Sequence, residues 1–239
     1  MGYVGKVGFC IGEDFKRETD PKIFERMKRI GTPALSDGMN RFNTLDPEIK
    51  PIINGCCIAG QAFTLRLRAA DNLMLHKSLG LLKKGDVLMV DTCGCKNYSI
   101  LGELIATAAF KQEIAGIVID GGIRDICELR EAGFPVFTRF ITPAVGDKDG
   151  PGEINRLISC GGVPVAPGDY VLADDNGIVV VPKDLLNEVL AAGEKKRESD
   201  QKRMEEIEAG VIVKPVTDEI LRKKGIITGN SKKGEEGQK

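Results

Sequence analysis

Apolar and polar positions alternate with a period of two along Phe63-Thr64-Leu65-Arg66-Leu67-Arg68, which predicts a half-exposed strand. Two unbroken apolar runs, Val87-Leu88-Met89-Val90 leading to Asp91 and Ala115 to Ile119, predict buried strands at 87–91 and 115–119. Helical spacing governs other stretches. Ile23, Phe24, Met27 and Ile30 share one face of a helix that Asp20-Pro21 opens as N-cap and first residue. Thr32-Pro33 repeats that start signal for a short helix through Leu35 toward Met39. Further helices are predicted over 72–81, 101–112 and 125–132, with a short strand at Pro135-Val136-Phe137. From Gly161 to Pro182 the pattern changes to short strands at 163–165, 170–173 and 178–181, with a hairpin turn at Asp174-Asp175-Asn176-Gly177.

A long helix dense in Glu and Lys follows over 183–209, with Leu185, Leu186, Val189 and Leu190 in its first half. It is expected to leave the domain body and pack on a neighbour. A short helix is expected over 217–224, and the polar stretch 231–239 is expected to be disordered. The reading is one α/β domain, 31–182, with an N-terminal extension carrying a helix (1–30) and a C-terminal helical extension (183–230).

Net charge over the 239 residues is −1, so no basic field argues for nucleic acid or an anionic membrane. No apolar run approaches the length of a span, and the start of the chain lacks a signal-peptide pattern, which leads to the expectation of a cytoplasmic protein. Seven cysteines sit badly with a complete disulfide framework, and Cys93-Gly94-Cys95 has no second partner pair for a tetrahedral thiolate site. The expectation is reduced, mostly buried thiols. His76 is the only histidine, which excludes two-histidine zinc motifs within one chain, and no GxSxG elbow or P-loop occurs. His76 reads as a packing or surface residue. Acid/base chemistry therefore falls to carboxylates, Lys, Arg or metal-bound water.

The stretch Ile119-Asp120-Gly121-Gly122-Ile123-Arg124-Asp125 carries the most chemistry. It reads as strand, glycine turn and helix start, with Arg and Asp delivered side by side. Arg124 can fork onto a carboxylate or a developing enolate. Asp125 offers a hard oxygen for Mg2+ or Mn2+. Gly102-Glu103-Leu104-Ile105 opens the helix after the strand that ends at Asp91, and its backbone amides suit a carboxylate. Glu103 and Asp120 are candidates for holding metal-bound waters. The plainer readings stay open: dipole compensation for Glu103, strand-end capping for Asp91 and Asp120.

These motifs, with Pro135-Val136-Phe137, Cys160 to Asp169 and Asp174 to Pro182, resemble the RraA-like / 4-hydroxy-4-methyl-2-oxoglutarate aldolase family over roughly residues 30–210. The resemblance implies a swivelling β/β/α sandwich assembled as homotrimers or hexamers, with sites near subunit boundaries. It implies a class II aldolase that needs a divalent metal, Mg2+ or Mn2+, and yields pyruvate, with oxaloacetate decarboxylation as a side activity. Carried over, Gly102, Glu103, Leu104, Ile105 and Arg124 would bind the pyruvyl part, Asp125 would ligate the metal, and Arg124 and Glu103 would be catalytic. The base is not identifiable from the sequence; Glu194 or Glu198 of a neighbouring subunit's long helix could assist. The alternative that the same resemblance carries is a noncatalytic regulator of the ribonuclease-inhibitor type.

Overall fold

The computed structural model describes residues 8–227, which divide into two compact units, the first ending at Arg197 and the second beginning at Glu198. The first unit opens with strand β1 (Phe9–Ile11), helices α1 (Pro21–Ile30) and α2 (Thr32–Gly38), and strands β2 (Lys50–Pro51) and β3 (Ile58–Leu67). Helix α3 (Leu73–Ser78) follows β3 and leads to β4 (Asp86–Asp91), and two further strand-to-helix steps come next: β5 (Ser99–Leu101) with α4 (Glu103–Phe110), and β6 (Gly116–Ile123) with α5 (Ile126–Glu131). Strands β7 (Val136–Ile141), β8 (Gly152–Ile154), β9 (Ile158–Cys160), β10 (Val163–Val165), β11 (Tyr170–Asp174) and β12 (Gly177–Val181) complete the β structure. Helix α6 (Leu186–Glu208) begins in the first unit, and α7 (Pro215–Lys223) belongs to the second.

Strands β3, β4, β6 and β7 run parallel at the centre of a mixed sheet. Strand β8 joins β3 antiparallel, as does β11, which pairs in turn with β12. One face of the sheet packs on α3, α4 and α5 through Phe63, Leu65, Leu75, Leu88, Ala106, Ile117 and Leu129. The other face packs Ala62, Val87, Met89 and Val118 against Ile158, Cys160, Val165, Val171 and Val180 of the later strands. The result is a β/β/α sandwich, with a helical layer, a central sheet and a second β layer. A third cluster joins α1, α2 and the start of α6 to the β11–β12 hairpin.

Asp20 caps α1 as its sequence position suggests, accepting a hydrogen bond from the Lys22 amide at 3.0 Å. Four expectations need correction. The strand over Phe63–Leu67 is half-exposed only toward its end: Arg66 and Arg68 are exposed as the alternation requires, but Thr64 is fully buried, donating to the Arg156 carbonyl at 2.7 Å, because the second β layer covers that face. The first half of α6 does not wait for a neighbour, since Leu186, Val189 and Leu190 are buried beside Met27, Ile30 and Leu35 of the same chain. The thiols are free but not mostly buried; Cys10, Cys95 and Cys160 are buried, whereas Cys57, Cys93 and Cys127 are exposed.

The fourth correction concerns Gly121 and Gly122, which form no turn. They lie inside β6, where the pairing with β7 shifts register between Ile119 and Gly122. A Cβ on Gly121 would lie 2.5 Å from the Thr92 side chain, and one on Gly122 would lie 2.8 Å from the Tyr98 carbonyl oxygen. Close packing of neighbouring chain, not a sharp bend, is what requires glycine there. The bend comes later, at Asp125, whose φ of 58° is left-handed.

The stretch 231–239, expected to be disordered, lies outside the described residues. Among the described residues no helix is long and apolar enough to cross a membrane.

Candidate active site

Parallel strands deliver their carboxyl ends to one edge of the sheet, and α/β proteins bind ligands there. In this chain that edge holds a cleft of about 410 Å³, with Leu101 to Ile105, Arg124, Asp125 and Glu128 among its lining residues. Asn72, His76 and Lys148 also line it.

The cleft is assembled by short-range bonds between two βα steps. The Arg124 amide donates to the Leu101 carbonyl at 3.0 Å, which ties the end of β6 to the start of α4. The Asp125 carboxylate crosses the same gap. Its Oδ2 accepts from the Glu103 amide at 3.0 Å and lies 3.5 Å from Arg124 Nε. Asp125 stands at the N-terminus of α5 yet makes no side-chain cap to it, so its carboxylate is committed across the cleft and not to its own helix. Gly102 has ordinary extended backbone angles, and space alone requires glycine: a Cβ would overlap Asp125 Oδ2 and lie 3.1 Å from Arg124 Nε.

Each candidate residue from the sequence therefore has a definite place. Gly102, Glu103, Leu104, Ile105, Arg124 and Asp125 all line one cleft. The Glu103 amide is already occupied by Asp125, whereas the amides of Leu104 and Ile105 meet no acceptor among the described residues. They are first-turn donors of α4, which a helix cannot satisfy internally. The Arg124 and Asp125 side chains are 40% and 37% exposed, so both are open to a ligand.

Asp91 and Asp120 stand elsewhere. They are paired across β4 and β6. Asp120 accepts from Arg139 Nε at 2.6 Å and from the Gly161 amide at 2.7 Å. Asp91 accepts from the Cys93 amide at 2.8 Å, and burial raises its pKa. Neither carboxylate lines the cleft. Asp120 is thereby removed as a holder of metal-bound water, because strand alternation turns it to the opposite face from the α4 start. Glu194 is also engaged within its own chain, bonded by Arg26 Nε and Nη2 at 2.6 Å each. The Arg26 guanidinium holds the Glu194 carboxyl below its ordinary pKa, which weakens it as a base.

Sequence reading missed Asn72, His76, Glu128 and Lys148. Glu128 had a signal, since it lies three residues after Asp125 and so on the same helical face. The others reach the cleft from α3 and from the segment after β7, which no local motif announces.

For a divalent cation, Asp125 is the fitting donor: its Oδ1 bears no hydrogen bond among the described residues. Among the described residues no three His, Cys, Asp or Glu side chains converge into a closed cage. Mg2+ and Mn2+ do not require one; Mg2+ is commonly held by one or two carboxylates and completes its shell with water and substrate oxygens.

The fold and cleft thus define an α/β protein that gathers helix-start amides, a guanidinium and a hard carboxylate in one cleft at the edge of its sheet. The RraA-like family pattern (Aldolase/RraA) matches residues 32–180. A Halalkalibacterium halodurans protein, provisionally named a 4-hydroxy-4-methyl-2-oxoglutarate aldolase, is 36% identical over 187 residues, covering 78% of this chain and 89% of that one. The Thermus thermophilus 4-hydroxy-4-methyl-2-oxoglutarate aldolase is 36% identical over 152 residues, covering 64% of this chain and 92% of its own. The crystal structure of Streptomyces coelicolor RraAS2, described as an unusual member of the RNase ES inhibitor RraA family, superposes with a TM-score of 0.69 at 28% identity. It covers 80% of this chain and 99% of its own. The chain belongs to the RraA-like family.

Proposed function

We propose that the cleft cleaves a 4-hydroxy-2-oxo acid of the 4-hydroxy-4-methyl-2-oxoglutarate kind to pyruvate, as a divalent-metal-dependent aldolase. The observation that carries this reading is the convergence of Arg124, Asp125 and the open amides of Leu104 and Ile105 in one cleft.

In the reaction the C3–C4 bond breaks, the C4 hydroxyl loses its proton and becomes a carbonyl, and the electron pair passes to an enolate. Protonation at C3 then gives pyruvate. The Leu104 and Ile105 amides orient the 2-oxo acid carboxylate at the positive end of α4. Arg124 donates to the oxygen on which negative charge grows, a bond that strengthens toward the transition state. Asp125 would hold Mg2+ or Mn2+, which supplies an electron sink for the 2-oxo group when bound. Glu103 and Glu128, which line the cleft, would hold ordered water or move a proton. The same machinery would release CO2 from oxaloacetate. Assembly as a homotrimer or hexamer belongs to this reading, with Glu198 of a neighbouring copy as a further acid.

The test is pyruvate release from 4-hydroxy-4-methyl-2-oxoglutarate and from oxaloacetate, with Mg2+, with Mn2+ and with EDTA, beside Asp125→Ala. Metal-dependent turnover that Asp125→Ala loses supports the reading. No turnover above background with either metal would overturn it in favour of the noncatalytic, inhibitor-type alternative that the RraAS2 likeness suggests.

A further inference from the structure

The Cys93-Gly94-Cys95 loop lies outside the cleft and faces a cavity of its own, of about 320 Å³, lined by Cys93, Arg66, Arg68 and Glu153 among others. The loop is a tight turn at the end of β4. The Cys95 amide donates to the Thr92 carbonyl at 3.2 Å, and both central residues are left-handed, Cys93 at φ 52° and Gly94 at φ 75°. Turns of that hand favour Asn, Asp or Gly at the first central position, so Cys93 is held against a backbone preference. The turn also separates the two thiols. Cys93 is exposed at the cavity, whereas Cys95 is buried, its Sγ 4.0 Å from the Tyr98 carbonyl oxygen. Residues two apart in a left-handed turn have Cα atoms about 5.5 Å apart, as in the mirror-image helix, and a disulfide spans that distance.

The charges around Cys93 favour an anionic partner. Arg66, near the end of β3, is in register with Asp91 on β4 and with Glu153 on β8. Its guanidinium pKa is raised first by the Cys93 side chain, with Asp91 and Glu153 adding to the effect. The Arg66 Nε lies 3.7 Å from Asp91 Oδ2, which holds the cation at the turn that carries Cys93. Arg68, two residues on and therefore on the same side of the chain, is exposed and has only a long contact of 3.5 Å to Asp71. Thiol–disulfide exchange depends on negative charge at sulfur, and a neighbouring cation stabilises that charge. Glu153, on the facing strand, offers a counter-charge for an ammonium group of the same ligand.

We propose that Cys93 and Cys95 form a dithiol–disulfide couple that exchanges with a small disulfide bearing carboxylates, bound at Arg66 and Arg68. The Cys93 thiolate attacks one sulfur of the incoming disulfide. A mixed disulfide forms, and the expelled thiolate takes up the proton that Cys93 gave up. Cys95 then attacks the Cys93 sulfur, its proton passing to the second departing thiolate as the mixed bond breaks. Two protein thiols are oxidised to one disulfide, and the small disulfide is reduced to two thiols. The activity is independent of the aldolase reading, since neither sulfur lines the cleft.

The experiment treats the full chain with oxidised glutathione as probe and maps the tryptic peptide 85–96, which carries these two cysteines and no other. The wild type should gain the Cys93–Cys95 disulfide, read as the loss of two hydrogens from that peptide. Cys95→Ser should stop at a glutathione mixed disulfide on Cys93, with Cys95→Ala as the second variant should serine fail to fold at that buried position. Cys93→Ser should give neither product. Arg68→Met should slow the reaction with oxidised glutathione about threefold, the worth of one exposed ion pair, without slowing that with the dicationic disulfide cystamine. A wild-type peptide that stays unmodified, or a glutathione adduct that persists in the wild type, overturns the proposal. So does a Cys93→Ser chain that reacts at Cys95 as fast as the wild type, or an unchanged glutathione rate in Arg68→Met.

Discussion

The Oδ2 atom of Asp125 lies 3.0 Å from the Glu103 amide nitrogen, joining two residues 22 positions apart in the chain at the starts of two helices. That bond holds the carboxylate beside Arg124 and across the mouth of the cleft. It exists only because Gly102 leaves the space where a Cβ would overlap the same oxygen.

Gly102→Ala should therefore displace the Asp125 carboxylate while leaving the sheet intact. A shift of about 1 Å in such a group costs on the order of a hundredfold in rate. Pyruvate release against metal concentration checks this, with circular dichroism to show that the fold persists. Wild-type turnover in Gly102→Ala would mean that the position of Asp125 does not matter.

Arg124→Ala should lower kcat by roughly a hundredfold to a thousandfold, the usual cost of removing one donor to a developing oxyanion. Its side chain is 40% exposed and packs in no core cluster, so the melting temperature should hardly move. A fully active variant would remove the enolate-stabilising role.

Asp71 contributes to stability as well as to position. Its buried carboxylate accepts from the amides of Leu73, Asp149 and Gly150. Asp71→Ala strands those donors, and a loss of about 3 kcal/mol is expected. Urea unfolding measures it; a loss below about 1 kcal/mol would show that water replaces the carboxylate freely.

Tyr170 gives a stability signal at alkaline pH. Burial first, then the hydrogen bond to Glu18 at 3.1 Å, push its phenol up to about 12. Between the ordinary tyrosine value near 10 and about 12, the unfolded chain binds fewer protons than the folded one. The contribution of this group is thus fully present below pH about 10 and is lost as pH rises through the folded value. Titration of phenolate absorbance in wild type and Tyr170→Phe should differ by one component with a midpoint near 12. A missing component near 10 would contradict it.

Local pattern alone carried much of this protein. The apolar runs at 87–91 and 115–119 became central strands because a segment apolar on every residue must be covered on both faces. Asp20-Pro21 and Asp174 to Gly177 set a helix start and a hairpin through backbone preferences that act within a few residues. The side-by-side Arg124 and Asp125, and the Gly102 to Ile105 helix start, were also legible, since each is a contiguous motif.

What tertiary structure decided is whatever depends on residues distant in the chain meeting in space. Gly121 and Gly122 carry the composition of a turn, yet Thr92 and Tyr98 pressing on them make them part of a strand. Asp120 ends an apolar run as a site residue would, yet Arg139 and Gly161, remote in sequence, claim it. His76 and Lys148 share no motif; a buried Asp71 carboxylate, bonded to amides 78 and 79 positions away, sets them at one cleft. Periodicity records how a residue faces its own element, and only the packing of elements determines what it meets there.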